Sequence, residues 1–130
     1  MKFTFRIIKE HNLLIETVLG EITVDGLAEK TQAVFEHPDY SPSLCGLLDL
    51  RKASSGMTKV ELYGFVAYLN QTEKFGHSKW AIIASDPIVV ALSQIFQHRF
   101  SDDLITVVGS PEAAADFLEK PVLLRYVKSN

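Results

Sequence analysis

The chain has a single cysteine and a single tryptophan among its 130 residues. Cys45 alone cannot form an intrachain disulfide, and its apolar neighbours predict a small buried hydrophobe. Long apolar runs are missing as well, so no bilayer-spanning helix and no integral membrane protein is expected. Positive charge is scarce: 13 Lys and Arg stand against 16 Asp and Glu, for a net charge of -3, and the cations are scattered. Nucleic acid and anionic membrane surfaces both require clustered positive charge, so neither is an expected partner. The four histidines, His11, His37, His77 and His98, lack ligand spacing, and no metal is expected. Phosphate loops, dinucleotide fingerprints and nucleophile elbows are absent too, and no cofactor is expected. Asp49, Ser55 and His77 supply the residue types of a triad, but a triad is defined by geometry, and the expectation is a protein without catalytic activity.

What is present describes one folded domain over residues 1–130. Hydrophobic residues make up 47% and charged residues 22%, a balance that supports a core and argues against disorder. The start, Met1 to Arg6, has no continuous apolar stretch and is followed by Lys9 and Glu10. This predicts a soluble cytoplasmic protein with no signal peptide.

Residues 3–9 and 12–19 carry β-branched, aromatic and aliphatic side chains on either side of Glu10-His11-Asn12, the pattern of a β-hairpin ended by Gly20 and Glu21. A helix follows, capped by Thr23 or Asp25, with Leu27, Ala28, Thr31, Val34 and Phe35 on one face and Glu29, Lys30, Gln32 and Glu36 on the other. His37-Pro38 stops it. Residues 44–50 are a buried strand, and Thr58 with Glu61 is a capping box opening a helix to about Lys74. Lys79–Ser85 is a second buried strand. Ser85-Asp86-Pro87 starts a helix expected to bury Ile88, Ala91, Leu92, Ile95 and Phe96. Residues 104–108 form a short strand, and Ser110-Pro111-Glu112 opens a last helix through Ala114, Phe117 and Leu118. The order ββ followed by αβαβαβα predicts an α/β fold: a mixed, mostly parallel sheet of about five strands, with about four helices packed on it. The tail, residues 121–130, is apolar enough to pack on the domain or to pair with a second copy as a homodimer.

The candidate site lies between Leu44 and Leu62. An apolar strand turns polar at Asp49 and Arg51, a small-residue loop Ala53-Ser54-Ser55-Gly56 follows, and Thr58 caps the next helix. Ligands collect beyond the carboxyl ends of parallel strands, and helix N-termini favour anions. Asp49 and Arg51, two residues apart, should share a strand face and shape a polar crevice with Ser85 and Asp86. Ser54 and Ser55 are placed where an added phosphate would meet a helix N-terminus.

The hairpin start, the strand ending at Asp49 and the Ser54-Ser55-Gly56-Met57 turn resemble a STAS domain, the fold of bacterial anti-sigma-factor antagonists. More specifically, the chain resembles the SpoIIAA-like (STAS/SEC14-type) family of small bacterial proteins. Gly20-Glu21-Ile22-Thr23, Asp49-Leu50-Arg51, Lys79 to Asp86, and Glu112 to Leu118 carry that likeness over about residues 5–119. The resemblance implies a regulatory module that binds a protein partner and is switched by phosphorylation of a serine in the turn, here Ser54 or Ser55. Asp49 and Ser54 stand closer together than their counterparts in the antagonists. The SEC14-like side of the likeness implies an alternative, a carrier of a small apolar molecule or lipid.

Overall fold

The computed structural model describes residues 1–129. Strict alternation of half-buried and exposed side chains in Lys2–Ile8 produces β1, an edge strand that pairs antiparallel with β2, Leu13–Ile22. A single 3-10 turn, Lys9–His11, links them, closed by Asn12 in the left-handed region that asparagine tolerates. Then come α1 (Val24–Phe35), β3 (Cys45–Ser55), α2 (Lys59–Thr72), β4 (Trp80–Ile83), α3 (Pro87–Phe100), β5 (Ile105–Val108) and α4 (Pro111–Leu118). Four of the five strands are parallel, and β1 is the antiparallel edge. The expected mixed sheet with its opening hairpin is what the chain forms. Among the described residues, no helix is long and apolar enough to cross a membrane.

The caps are those that the residue types specify. Thr23, the first of the two candidates, accepts the Gly26 N–H at 3.0 Å. Asp86 and Ser110 cap α3 and α4, each with proline in the first turn.

Sheet order is β1-β2-β3-β4-β5, so each crossover moves to the next strand in the same direction. Crossovers of one hand, repeated in one direction, put every connecting helix on the same face. Accordingly α1, α2 and α3 bury Leu27, Val34, Leu62, Phe65, Val89 and Phe96 against one side of the sheet. The other side is covered by α4 and the C-terminal segment, through Ala114, Leu118, Leu123 and Val127. The tail therefore packs on its own domain, with Leu123 buried in a 3-10 turn over Pro121–Arg125. Because the strand order never reverses, the sheet has no topological switch point.

Two elements differ from the sequence reading in ways that matter for the site. β2 does not stop at Gly20: that glycine takes φ +83° inside the strand, and pairing continues to Ile22. β3 therefore finds ladder partners beyond Arg51, and Ala53, Ser54 and Ser55 are strand instead of loop, opposite Gly20, Glu21 and Ile22. The stripe of α3 is also turned. Val89, Ser93 and Phe96 are buried, whereas Ile88 and Ala91 are exposed.

Candidate functional site

β3 contains the feature that organises the site. Thr17 pairs with Asp49 but Leu19 pairs with Lys52, so β3 carries one extra residue in a bulge. Side chains along a strand alternate, and one extra residue resets the alternation. Leu48 and Leu50 face the three helices, and so do Ala53 and Ser55 after the bulge, whereas Asp49 and Arg51 line the opposite side. The bulge also frees the Arg51 N–H from the ladder, and Asp49 Oδ1 accepts it at 3.1 Å. The same carboxylate accepts Arg51 Nε at 3.0 Å and Nη2 at 2.8 Å, a side-on bidentate pair whose side chains are mostly buried. These bonds to the charged form raise the Arg51 pKa further above its ordinary value.

Around this pair opens a cleft of about 540 Å³, whose walls include Thr17, Ser85, Gly109, Tyr126 and Lys128. The expected grouping of Asp49, Arg51 and Ser85 is therefore present. Asp86 is not among the lining residues, because its carboxylate is spent on the Ile88 and Val89 N–H groups at 3.1 Å each. Glu112 lies close enough for Arg51 to feel its charge. Its own pKa is lowered, first by the Ser129 hydroxyl donating to it and only weakly by Arg51.

The serine candidates lie elsewhere. Ser55 is buried on the helix side, where Oγ donates to the Ile22 carbonyl at 3.2 Å and accepts the Met57 N–H at 3.1 Å. Ser54, one residue earlier, is exposed. Thr58 forms the capping box in full, Oγ1 accepting the Glu61 N–H at 3.1 Å while Glu61 accepts the Thr58 N–H at 2.9 Å. Ser55 and Asp49 occupy opposite faces, and exposed His77 reaches the Glu73 carbonyl, so these three do not converge.

One pair of residues escaped the sequence reading. Lys30 Nζ donates to Glu16 Oε2 at 2.8 Å, with side-chain exposures of 6% and 5%, a fully desolvated ion pair between α1 and β2. Spacing contained the signal: Glu16 shares a strand face with Leu14 and Val18, and Lys30 lies on the Leu27–Val34 stripe. Residue type argued the other way, and Lys30 belongs to the buried face instead of the polar one. The pair borders a small apolar cavity of about 50 Å³, and a second of about 70 Å³ adjoins Ser55 and Met57. Leu48, Phe65, Ile82 and Phe96 wall both.

Tyr40 lines the first of these cavities, its hydroxyl donating to the Lys74 carbonyl. Burial, and secondarily the Glu16 charge, push its pKa up to about 12. A folded-state pKa above the unfolded value of about 10 means stability is complete below pH ~10 and is lost as pH climbs toward ~12. Urea unfolding between pH 9 and pH 12, conditions set by those values, should therefore fall more steeply for the natural chain than for Tyr40→Phe. Parallel curves would refute it.

No family model matches the chain, and no curated protein does. Among solved structures, an uncharacterized protein of the DUF3478 family from Shewanella loihica PV-4, described as having a SpoIIAA-like fold, superposes with a TM-score of 0.57. The alignment covers 90% of this chain and 92% of that one at 12% identity. The chain thus has a SpoIIAA-like fold, in agreement with its hairpin start, its parallel strands and the three helices on one face.

Proposed function

We propose that this chain is a non-enzymatic regulatory module of STAS type that binds a protein partner at the edge formed by the first turns of α2 and α3. The observation that supports it most is exposed apolar surface there: Val60 is 78% and Ile88 58% accessible, beside Met57 and Val89 at the ~70 Å³ cavity. Large aliphatic side chains at these exposures on neighbouring helix starts suit a docking edge. Ser54 is the accessible serine of the two candidates, near enough in sequence for a phosphate, about -1.5 to -2 in charge, to alter that edge. Phosphorylation of Ser55 would first require breaking its two hydrogen bonds.

The test is affinity capture by the natural chain and by Val60→Asp/Ile88→Asp, with thermal unfolding as a control. A captured partner should bind the double variant at least about tenfold more weakly, since like interfaces concentrate their energy in a few apolar anchors. Equal capture by both proteins would sink this reading. Sedimentation of the same pair also tests whether the partner is a second copy of this chain.

The carrier of an apolar molecule is the second reading, supported by the two adjoining cavities between sheet and helices. At about 70 and 50 Å³ they are small against the ~300 Å³ or more of a typical ligand site, which ranks this reading lower. A lipid-sized adduct in native mass spectrometry would reverse that ranking.

A further inference from the structure

The side chains of Glu16 and Lys30 are more than nine-tenths buried, yet the bond between them leaves hydrogen-bonding capacity unused. Lys30 Nζ gives one of its three N–H bonds to Glu16 Oε2, and Glu16 Oε1 accepts none among the described residues. The one buried side-chain polar atom of the described residues that is both unpartnered and sealed from water is Arg51 Nη1. Glu16 Oε1 is therefore open to a water-sized molecule, and Glu16 lines the ~50 Å³ cavity between α1, α2 and the sheet. Buried polar groups require a partner, and this carboxylate oxygen lacks a donor. Most of the remaining wall is apolar and aromatic, with Phe35, Phe65, Phe75, Trp80 and Phe96 around the space. The adjoining ~70 Å³ cavity shares Phe65 and Phe96 with it, and those two rings lie 6.4 Å apart. Together the two cavities approach the ~150 Å³ at which an apolar cavity takes up one benzene ring.

The ion pair restricts what can occupy this space. It is neutral as a whole, so an ionic ligand would bring an unpaired charge into a desolvated site. A pure hydrocarbon would leave Oε1 without a donor. A neutral ring that carries one hydroxyl meets both conditions. We propose that the two cavities hold a small aromatic alcohol or phenol, its hydroxyl donating to Glu16 Oε1 and accepting an N–H of Lys30. Its ring lies among Phe65, Phe75, Trp80 and Phe96, where aromatic side chains favour tilted or edge-on contacts. This deepens the carrier reading and rests on it, naming the class of ligand and the polar group that recognises it.

The experiment is an NMR titration of the full chain with benzyl alcohol and, separately, with toluene, which has the ring without the hydroxyl. Saturable shifts of the Phe75 and Trp80 side chains are expected, with nuclear Overhauser contacts from the ligand ring to both. Benzyl alcohol should bind the natural chain at least as tightly as toluene, although transfer out of water favours toluene. In Glu16→Leu/Lys30→Met the hydroxyl has no partner, and toluene should bind at least about tenfold more tightly than benzyl alcohol. Benzoate and benzylammonium, each charged, should not saturate the natural chain. Toluene preferred by the same factor in both proteins would overturn the hydroxyl recognition and leave the carrier reading standing. Benzyl alcohol preferred equally in both, an ionic analogue bound as tightly, or contacts only to residues outside the cavities would also overturn it. Saturation by neither neutral ligand would remove the proposal and the carrier reading together.

Discussion

Replacing Lys30 with methionine should lower the free energy of unfolding by about 3–5 kcal/mol, the usual consequence of removing one member of a buried ion pair. The substitution preserves most of the apolar stem, so the effect is electrostatic. It leaves the Glu16 carboxylate 5% exposed, beneath α1, without the ammonium that lies 2.8 Å from it. Domains of this size have about 5–15 kcal/mol in total, so the variant should approach its unfolding threshold. Urea denaturation followed by circular dichroism measures this directly: the midpoint should fall while the slope with denaturant stays constant. Replacing both members, as Glu16→Leu/Lys30→Met, should recover most of the loss, because desolvating two charges offsets much of their attraction. A single variant as stable as the natural chain would mean that water reaches the pair. A double variant no better than the single would mean that packing, and not charge, was lost. The pair also borders the ~50 Å³ cavity, together with Thr31 and Tyr40.

Gly46→Ala is the second large effect expected. Gly46 in β3 pairs with Trp80 in β4, and the indole lies over the glycine. An added Cβ would stand 2.3 Å from Trp80 Cδ2 and Cε2, well inside any real contact. Trp80 has little room to yield, since it is 7% exposed and Phe75 lies 5.2 Å from it, ring centre to ring centre. The Gly46 backbone is also pinned, its N–H donating to the Lys79 carbonyl at 3.0 Å. Overpacking of this kind is destabilising by about 1–3 kcal/mol, and two rigid groups in contact should place this site at the upper end. Trp80 is the only tryptophan, so its fluorescence reads both the midpoint and the altered native packing. Gly64→Ala is the matched control. Nothing approaches within 4 Å of that site on the exposed face of α2, and the change should stabilise by up to about 1 kcal/mol. Equal effects of the two substitutions would show that Trp80 moves freely.

Much of the architecture was legible because local signals agreed with the global fold. The hairpin, three capped crossover helices and a capped final helix are written in short stretches: Thr58 to Glu61, Asp86-Pro87 and Ser110-Pro111 each specify a helix start by hydrogen bonding within one turn. The site was legible only in part. Asp49 and Arg51 were expected on one face, and they are, because Asp49 bonds the backbone of the residue two places on. Ser54 and Ser55 were read as loop because small polar residues usually end strands, yet a longer β2 kept β3 paired. The α3 stripe was misjudged by a residue because most of its first three turns is apolar and offers no polar phase marker.

By itself the sequence determined which segments become strands and helices, where the helices start, and that the sheet is mostly parallel. These depend on interactions that span a few residues. Only the tertiary structure decided the bulge in β3, the division of Asp49 and Arg51 from Ser55 across the sheet, and the burial of Glu16 with Lys30. Each of these depends on how β2 meets β3, or α1 meets β2, contacts between residues far apart in the chain. A one-residue change of register there reverses the faces of a strand while leaving every local pattern intact.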